Sequence, residues 1–399
     1  MIKRIVMILL FSFTAYADMM SFYKTALDNL QYDQSYTLYK QSNKTFQTAV
    51  NYAKFANFSA DVSYSKTYAK LLPTSSGNFG TTDIALHDTL DLFGKNNYKI
   101  QTLRLDKESK KSELNLKKEQ LFIYLANMIA LYNSTSNELQ LHQDLYNEQK
   151  KIYKKIEALA QNGDVTELEI LRFKNRLTTL KTKIVAQSEE ILKMKKQLNL
   201  YAPNKSIPIF TKSTLLYTKE DFLAHNPSEN INSFNAQRLL AESKGMTNSY
   251  IPTVDIGVDY QKLDDPTSYS NNHSFMIALH MPINRGDFKE AEALKVAALS
   301  KKAQSIEYKL QRENEYIQHY QTYINAKKQL NILENALNDY IKSEVTIKEA
   351  YLKRYIDFNT YLQVLKQLLN VKKQIIEMKS QERVEATIIN AISNGTIYE

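Results

Sequence analysis

The sequence predicts a mainly α-helical protein with a small β part, built as one unit repeated twice. Three observations predict it. The first is a scarcity of turn formers: 8 Gly and 7 Pro in 399 residues, about a third of ordinary usage. The second is a pair of very long stretches, Lys95 to Gln161 and Asp287 to Tyr355, that contain neither residue. The third is a pair of alternating apolar and polar segments ahead of each stretch. Few turns argue against a TIM barrel, a propeller or a Rossmann enzyme, all of which need many short connections. With 43% hydrophobic and 24% charged residues, disorder is not expected. The absence of Cys excludes disulfides, thiolate metal sites and cysteine nucleophiles.

In chain order, Lys3 and Arg4 precede an apolar run from Ile5 to about Ala15, and Ala15-Tyr16-Ala17 reads as an A-x-A cleavage site. Residues 1–17 are therefore expected to be a secretory signal peptide. The run is too short to span a bilayer, which takes about 20 apolar residues, and with no Cys there is no lipid attachment site. The net charge of +9 is spread along the predicted helices and reads as solvated faces, so no nucleic-acid partner is expected.

The first repeat covers 18–204. Short helices are expected near 20–30 and 35–56. Phe58, Ala60, Val62 and Tyr64 then alternate with Ser59, Asp61, Ser63 and Ser65, predicting a strand over about 58–68. Ile84, Leu86 and Leu90 alternate with Asp83, His87, Thr89 and Asp91, predicting its partner over 81–91, across a polar loop. A helix over 95–161 follows, about 100 Å long at 1.5 Å per residue, with Leu121, Leu125, Met128 and Tyr132 on one face. Asn162-Gly163-Asp164 breaks it, and a second helix runs over 165–200.

The second repeat, 205–399, has the same order. A helix near 227–246 precedes strands over 253–261 and 274–282, where Val254, Ile256 and Val258 alternate with Asp255, Gly257 and Asp259. Helices over 287–355 and 359–394 follow. Gly94 and Gly286 close the two hairpins. Thr166, Leu168 and Leu171 align with Thr360, Leu362 and Leu365, which places Asp357 opposite Gly163. Asp tolerates the left-handed backbone better than most residues.

Alternating segments of about ten residues are the pattern of membrane β-barrels. Four strands cannot close a barrel, since about eight is the smallest number that does, so an oligomer is expected. Three copies would supply a 12-stranded barrel. The strands' polar residues Asp61, Asp83, Asp91, Asp255 and Asp259 would line its lumen, because a charge facing lipid costs several kcal/mol. Very long helices must in turn pair along their length, as in coiled coils.

Several local patterns also resemble the TolC-like outer-membrane efflux family. They are Ala224-His225-Asn226-Pro227 before a helix, Tyr250-Ile251-Pro252 opening a strand, Met281-Pro282-Ile283-Asn284-Arg285-Gly286 closing one, and Gly163-Asp164-Val165-Thr166 with Leu171 at a helical tip. Asn284 stands where Phe is usual. The resemblance implies a homotrimer: a 12-stranded outer-membrane β-barrel in lipid, continued by a periplasmic α-helical barrel. It implies an export duct that docks a periplasmic adaptor (membrane fusion protein) and, through it, an inner-membrane pump of the RND or ABC type. Gly163, Asp164, Val165, Thr166, Asp357, Phe358, Asn359 and Thr360 become the expected adaptor-docking tips. Glu169, Gln363 and Arg354 become the expected periplasmic gate. Glu169 keeps a carboxylate that the family often places there, Gln363 departs from it, and Arg354 could pair with Glu169 or Asp357.

No catalytic residues, metal site or cofactor are expected. There is no P-loop, H-E-x-x-H or nucleophile elbow, and the His residues are scattered. The alternative reading from the residues is a periplasmic or surface coiled-coil scaffold or adhesin that forms no pore. It accounts for the helices but not for the paired alternating strands.

Overall fold

The computed structural model describes residues 19–54, 57–72, 75–161, 163, 165–213, 216–265, 268–281 and 285–399. The expected signal segment with Ala15 and Ala17, Asp164 of the first tip, and Pro282 to Asn284 lie outside the described residues.

The chain is mainly helical with one small antiparallel sheet. Its elements are α1 (19–30), α2 (Tyr32–Tyr52), β1 (Phe58–Leu72), β2 (Ser75–Leu90), α3 (Asn97–Gln161), α4 (Glu167–Tyr201), α5 (Lys219–Leu223), α6 (Pro227–Thr247), β3 (Thr253–Asp265), β4 (Ser268–His280), α7 (Arg285–Leu352) and α8 (Phe358–Ser393). α3 has 65 residues and α7 has 68, a length permitted by the absence of Pro from both and by a single Gly, Gly286, in the first turn of α7. Among the described residues no helix is long and apolar enough to cross a membrane.

Two compact units emerge, and each draws on both halves of the sequence. One comprises Gln34–Leu114 and Pro227–Lys309; the other comprises 19–33, Asn115–Asn226 and Leu310–Glu399.

The first unit holds the sheet, ordered β1-β2-β3-β4 with every pair antiparallel. Register follows the alternation. Val62, Ile84 and Tyr260 share one row, and Asp61, Ala85, Asp259 and Ser274 share the next. Since side chains alternate between faces, one face is polar and the other apolar. Both hairpins extend past the alternating pattern. Ser75 to Gly80, expected as loop, pairs with β1 down to Lys66, because an antiparallel ladder joins backbones and needs no side-chain pattern.

Beside the sheet, helices of the same unit pack through small residues and amide contacts. Asn43 of α2 donates to the Leu103 carbonyl of α3 at 2.9 Å. Ser243 of α6 donates to the Ala291 carbonyl of α7 at 2.8 Å. Gly245 of α6 admits the Tyr98 ring, which would lie 2.3 Å from a β-carbon there.

The second unit is helical. Phe22, Tyr23, Phe122, Leu125, Ile129, Phe222, Ile388 and Ile392 form its larger core. Within it Arg312 and Glu119 are both buried and make a two-pronged ion pair, with Nη2 to Oε2 at 3.1 Å. The guanidinium also lies 4.3 Å from the Phe222 ring centroid. Burial disfavours the Arg312 cation, but Glu119 more than offsets this and holds its pKa above the ordinary value. A smaller core of Leu145, Ile156, Phe173, Leu180, Tyr351, Phe358 and Tyr361 lies around the ends of α3 and α7 and the starts of α4 and α8.

Candidate functional site

Two places gather the sequence-predicted residues: the helical tips and the polar face of the sheet.

At the first tip Gly163 takes a left-handed φ of 81°, and nothing lies within 4 Å of where its β-carbon would be. Thr166 caps α4, its hydroxyl accepting from the Glu169 N–H at 3.3 Å. At the second tip the left-handed residue is Arg354, φ 65°. Tyr355 N–H donates to the Ala350 carbonyl at 2.9 Å and Arg354 N–H to the Tyr351 carbonyl at 3.0 Å, the paired bonds of a Schellman ending. Asp357 is the N-cap of α8, φ −81°, and accepts from the Thr360 N–H at 2.7 Å.

These bonds correct the repeat alignment. Gly163 corresponds to Arg354, Thr166 to Asp357 and Glu169 to Thr360, three residues earlier than the matching Thr and Leu residues suggest. Asp357 does not occupy the left-handed position. An Asp side chain caps a helix as well as a Thr does, so the two caps share a role without sharing a residue type.

Glu169 is the centre of the tip. It holds half of a capping box, but its carboxylate turns away from its own helix start. It accepts from the Tyr351 hydroxyl at 2.5 Å and from Arg354 Nη1 and Nη2 at 3.0 and 3.3 Å. Tyr351 is fully buried and stacks on Tyr361 with ring centroids 5.1 Å apart, and the Tyr361 hydroxyl accepts from Gln149 Nε2 at 2.8 Å. Burial, then the Glu169 carboxylate, pushes the Tyr351 hydroxyl well above its ordinary pKa, so it stays a donor. Gln363 lies exposed on the second turn of α8.

The tip surface also differs from expectation. Thr166, Asn359 and Thr360 are exposed, but Val165 and Phe358 are buried. Phe358 packs against Phe173 with the rings tilted by 34° and centroids 4.8 Å apart, and also meets the Tyr351 ring. An apolar residue at a helix start is drawn into the core beneath it, so these two present no outer surface. The apolar tip side chains that do are Leu168, Leu171 and Tyr355, the last 79% exposed. Tyr351 was missed for a different reason: in the sequence it is one aromatic among many on a helix.

On the sheet, Asp61, Asp83, Asp255 and Asp259 all lie on the polar face. Ser63 donates to Asp83 at 3.3 Å and Ser274 to Asp259 at 3.2 Å. His87 Nε2 lies 3.5 Å from Asp259 Oδ1. Asp91 is a correction. It falls one residue beyond β2, is buried, and accepts from the Lys95 and Asn96 N–H groups at 2.6 and 2.7 Å. Its carboxylate fastens the turn into α3 and is spent on backbone donors. On the opposite face Phe58, Val62, Leu86, Val258, Phe275, Ile277 and Leu279 are exposed.

No family model and no curated protein matches the sequence. Solved structures do match. The outer-membrane channel OprN is 12% identical with a TM-score of 0.77, covering 97% of this chain and 93% of that one. CusC, solved in a study of folding and transmembrane channel formation, is 12% identical with a TM-score of 0.76, covering 94% and 92%. The outer-membrane protein VceC from Vibrio cholerae is 13% identical with a TM-score of 0.71, covering 94% and 96%.

The chain has the fold of the TolC-like outer-membrane channels. At such low identity the likeness is one of architecture.

Proposed function

We propose that the chain is a passive export duct of the outer membrane, working as a homotrimer. The sheet carries this reading. It has one polar face, one exposed apolar face and, among the described residues, two strands, β1 and β4, that each lack a neighbour on one side. In lipid every backbone polar group needs a partner, which only closure into a barrel provides. Three sheets joined edge to edge give twelve strands, with the four aspartates inside and Val62, Leu86, Val258 and Ile277 toward lipid. Exposed apolar residues on α4 support lateral association as well: Leu171, Val185 and Leu192 recur at multiples of seven, the spacing of a coiled-coil seam. The fold likeness supports the same reading.

In this reading the helices form a periplasmic tunnel and the tips dock an adaptor, which connects to an inner-membrane pump of the RND or ABC type. Transport energy comes from the pump. The Glu169–Arg354–Tyr351 cluster holds the tunnel mouth closed. Such contacts, repeated three times around an axis, are weak enough to be opened by a docking partner, since half-exposed ion pairs contribute about 0–1 kcal/mol each.

The test is reconstitution. Heat-resistant trimers in outer-membrane fractions, together with ion conductance in planar bilayers, are expected. Val62→Arg should block insertion while Asp61→Asn inserts normally. Monomers in detergent with no conductance would sink the duct and leave a coiled-coil scaffold.

A further inference from the structure

The helical unit carries a groove of about 420 Å³ that brings together α7, α8 and the segment between α4 and α5. Two bonds fasten that segment to α8. Arg383 Nη1 donates to the Phe210 carbonyl at 3.0 Å, and Asn390 Nδ2 donates to the Ser213 hydroxyl at 3.1 Å. Lys212, between these two anchors, is thereby placed at the groove.

Glu382 of α8 lines the same groove and is only 4% exposed. Among the described residues its carboxylate has no hydrogen-bond donor and no ion-pair partner. A carboxylate taken this far out of water is normally paired, because the lost hydration is otherwise uncompensated. The other acid at the groove, Glu334, is already matched by Lys379 at 2.7 Å. Of the three lysines there, Lys327 lies over the Tyr323 ring, 5.6 Å from its centroid. Lys212 and Lys328 are exposed and, among the described residues, have no anion beside them. Ile324 and Leu330 add an apolar strip.

We infer that this groove binds a small acidic zwitterion, an amino dicarboxylate of the glutamate type. The unmatched charges select it. Lys212 and Lys328 against Glu382 leave one excess positive charge, and such a ligand carries one excess negative charge. Its ammonium group supplies the charge-assisted donor that Glu382 lacks. Its two carboxylates meet the lysines, which act as point charges, and its methylenes lie on Ile324 and Leu330. A plain dicarboxylate would leave Glu382 unpaired, and a diamine would face two lysines. Among the described residues no group of three acids or histidines gathers to hold a metal ion instead. The groove has the size usual for small-molecule sites. A ligand held by Glu382, Lys328 and Lys212 ties α8, α7 and the fastened segment together. The site rests on the helical unit alone, so it stands or falls apart from the duct reading.

The experiment is calorimetry and thermal unfolding of the full-length chain in detergent with L-glutamate, glutarate and 1,4-diaminobutane. L-Glutamate is expected to bind once per chain and to raise the melting temperature as its concentration rises; glutarate and the diamine should do neither. Glu382→Gln should weaken L-glutamate binding roughly tenfold or more, the scale of a buried charged hydrogen bond. The same variant should melt higher than the parent without ligand, since it removes an unpaired buried charge. Lys212→Ala and Lys328→Ala should each weaken binding roughly twofold to fivefold, the scale of an exposed charge pair, whereas Lys181→Ala, on α4 away from the groove, should leave it unchanged. Absence of L-glutamate binding, equal binding of glutarate, or parent-like affinity in Glu382→Gln would overturn the site. A fall in the ligand-free melting temperature of Glu382→Gln with affinity retained would make Glu382 a structural residue and overturn it too.

Discussion

The two helical tips occupy equivalent places and solve the same turn in opposite ways. At the first, a glycine takes the left-handed position and its surroundings are open. At the second, an arginine takes it and its guanidinium is clasped by a carboxylate from the first tip. A left-handed non-glycine residue costs about 1–2 kcal/mol. The Arg354 backbone is therefore held in a conformation it does not favour, and what that conformation gains is the direction of its side chain. The first tip is an open turn that supplies the anion, and the second is a strained arm that supplies the cation. At the first tip the left-handed position itself loses little when altered, whereas at the second it is coupled to an ion pair.

The comparison can be broken most severely from beneath. Phe358→Ala should cost about 3–5 kcal/mol, the range for buried aromatic truncation, because its ring ties α8 to Phe173 and Tyr351. Val165→Ala at the first tip removes less buried surface and should cost about half as much. Denaturant unfolding of the two variants measures both, and equal losses would mean the tips are anchored alike.

Glu169→Ala comes next. It strands the buried Tyr351 hydroxyl and leaves Arg354 without its carboxylate, a loss of about 2–3 kcal/mol by the usual cost of an unsatisfied buried group. It should also raise bilayer leak. A double-mutant cycle with Arg354→Ala isolates the pair, and a coupling of about 0.5–1 kcal/mol is expected. Strict additivity would show that the two residues act separately.

Smaller effects sharpen the contrast. Gly163→Ala meets no atoms, so its cost should be the backbone term alone, about 1 kcal/mol. Arg354→Gly relieves the same strain while losing a half-exposed ion pair, so thermal stability should change by under about 1 kcal/mol even as leak increases. A stability loss well above that in Arg354→Gly would mean that the turn was not strained.

The subtlest difference is between the caps. The Asp357 carboxyl is held below its ordinary pKa, first by the Thr360 backbone N–H. Its contribution is thus present above the unfolded carboxyl pKa and fades as pH falls through the lower folded value. Below about pH 4 the start of α8 should fray, seen as faster amide exchange at Thr360, while Glu169 N–H on the Thr166 cap should show no such acid step.

Much of the fold was legible because long-range order here has local causes. Stretches without Gly and Pro announce α3 and α7, and period-two alternation announces the part of each strand that has two chemically distinct faces. The outer ends of the hairpins were not legible, since Ser75 to Gly80 join the ladder without an alternating apolar pattern in their sequence. At the tips, residue matching placed Thr166 opposite Thr360, whereas hydrogen bonding places it opposite Asp357. Helix caps accept several residue types, so identity is a poor guide to register there. The meeting of Glu169 with Arg354 could be anticipated from charge and position. The Tyr351 hydroxyl that completes it could not, because only folding brings α4 against α7. Asp91 shows the same limit: alternation placed it on the sheet, and two backbone donors claim it for a turn.

The open sheet also has a kinetic consequence. A single chain exposes two unpaired strand edges, which will accept any extended segment they meet. In the proposed trimer their neighbours are supplied by other copies, so the lifetime of that exposed state would fall steeply as newly made chains accumulate. At low concentration such a chain would persist with sticky edges, and its stability could not be separated from the abundance of the other copies. On that reading slow synthesis is the hazardous regime, and dilution should favour misassembly over assembly.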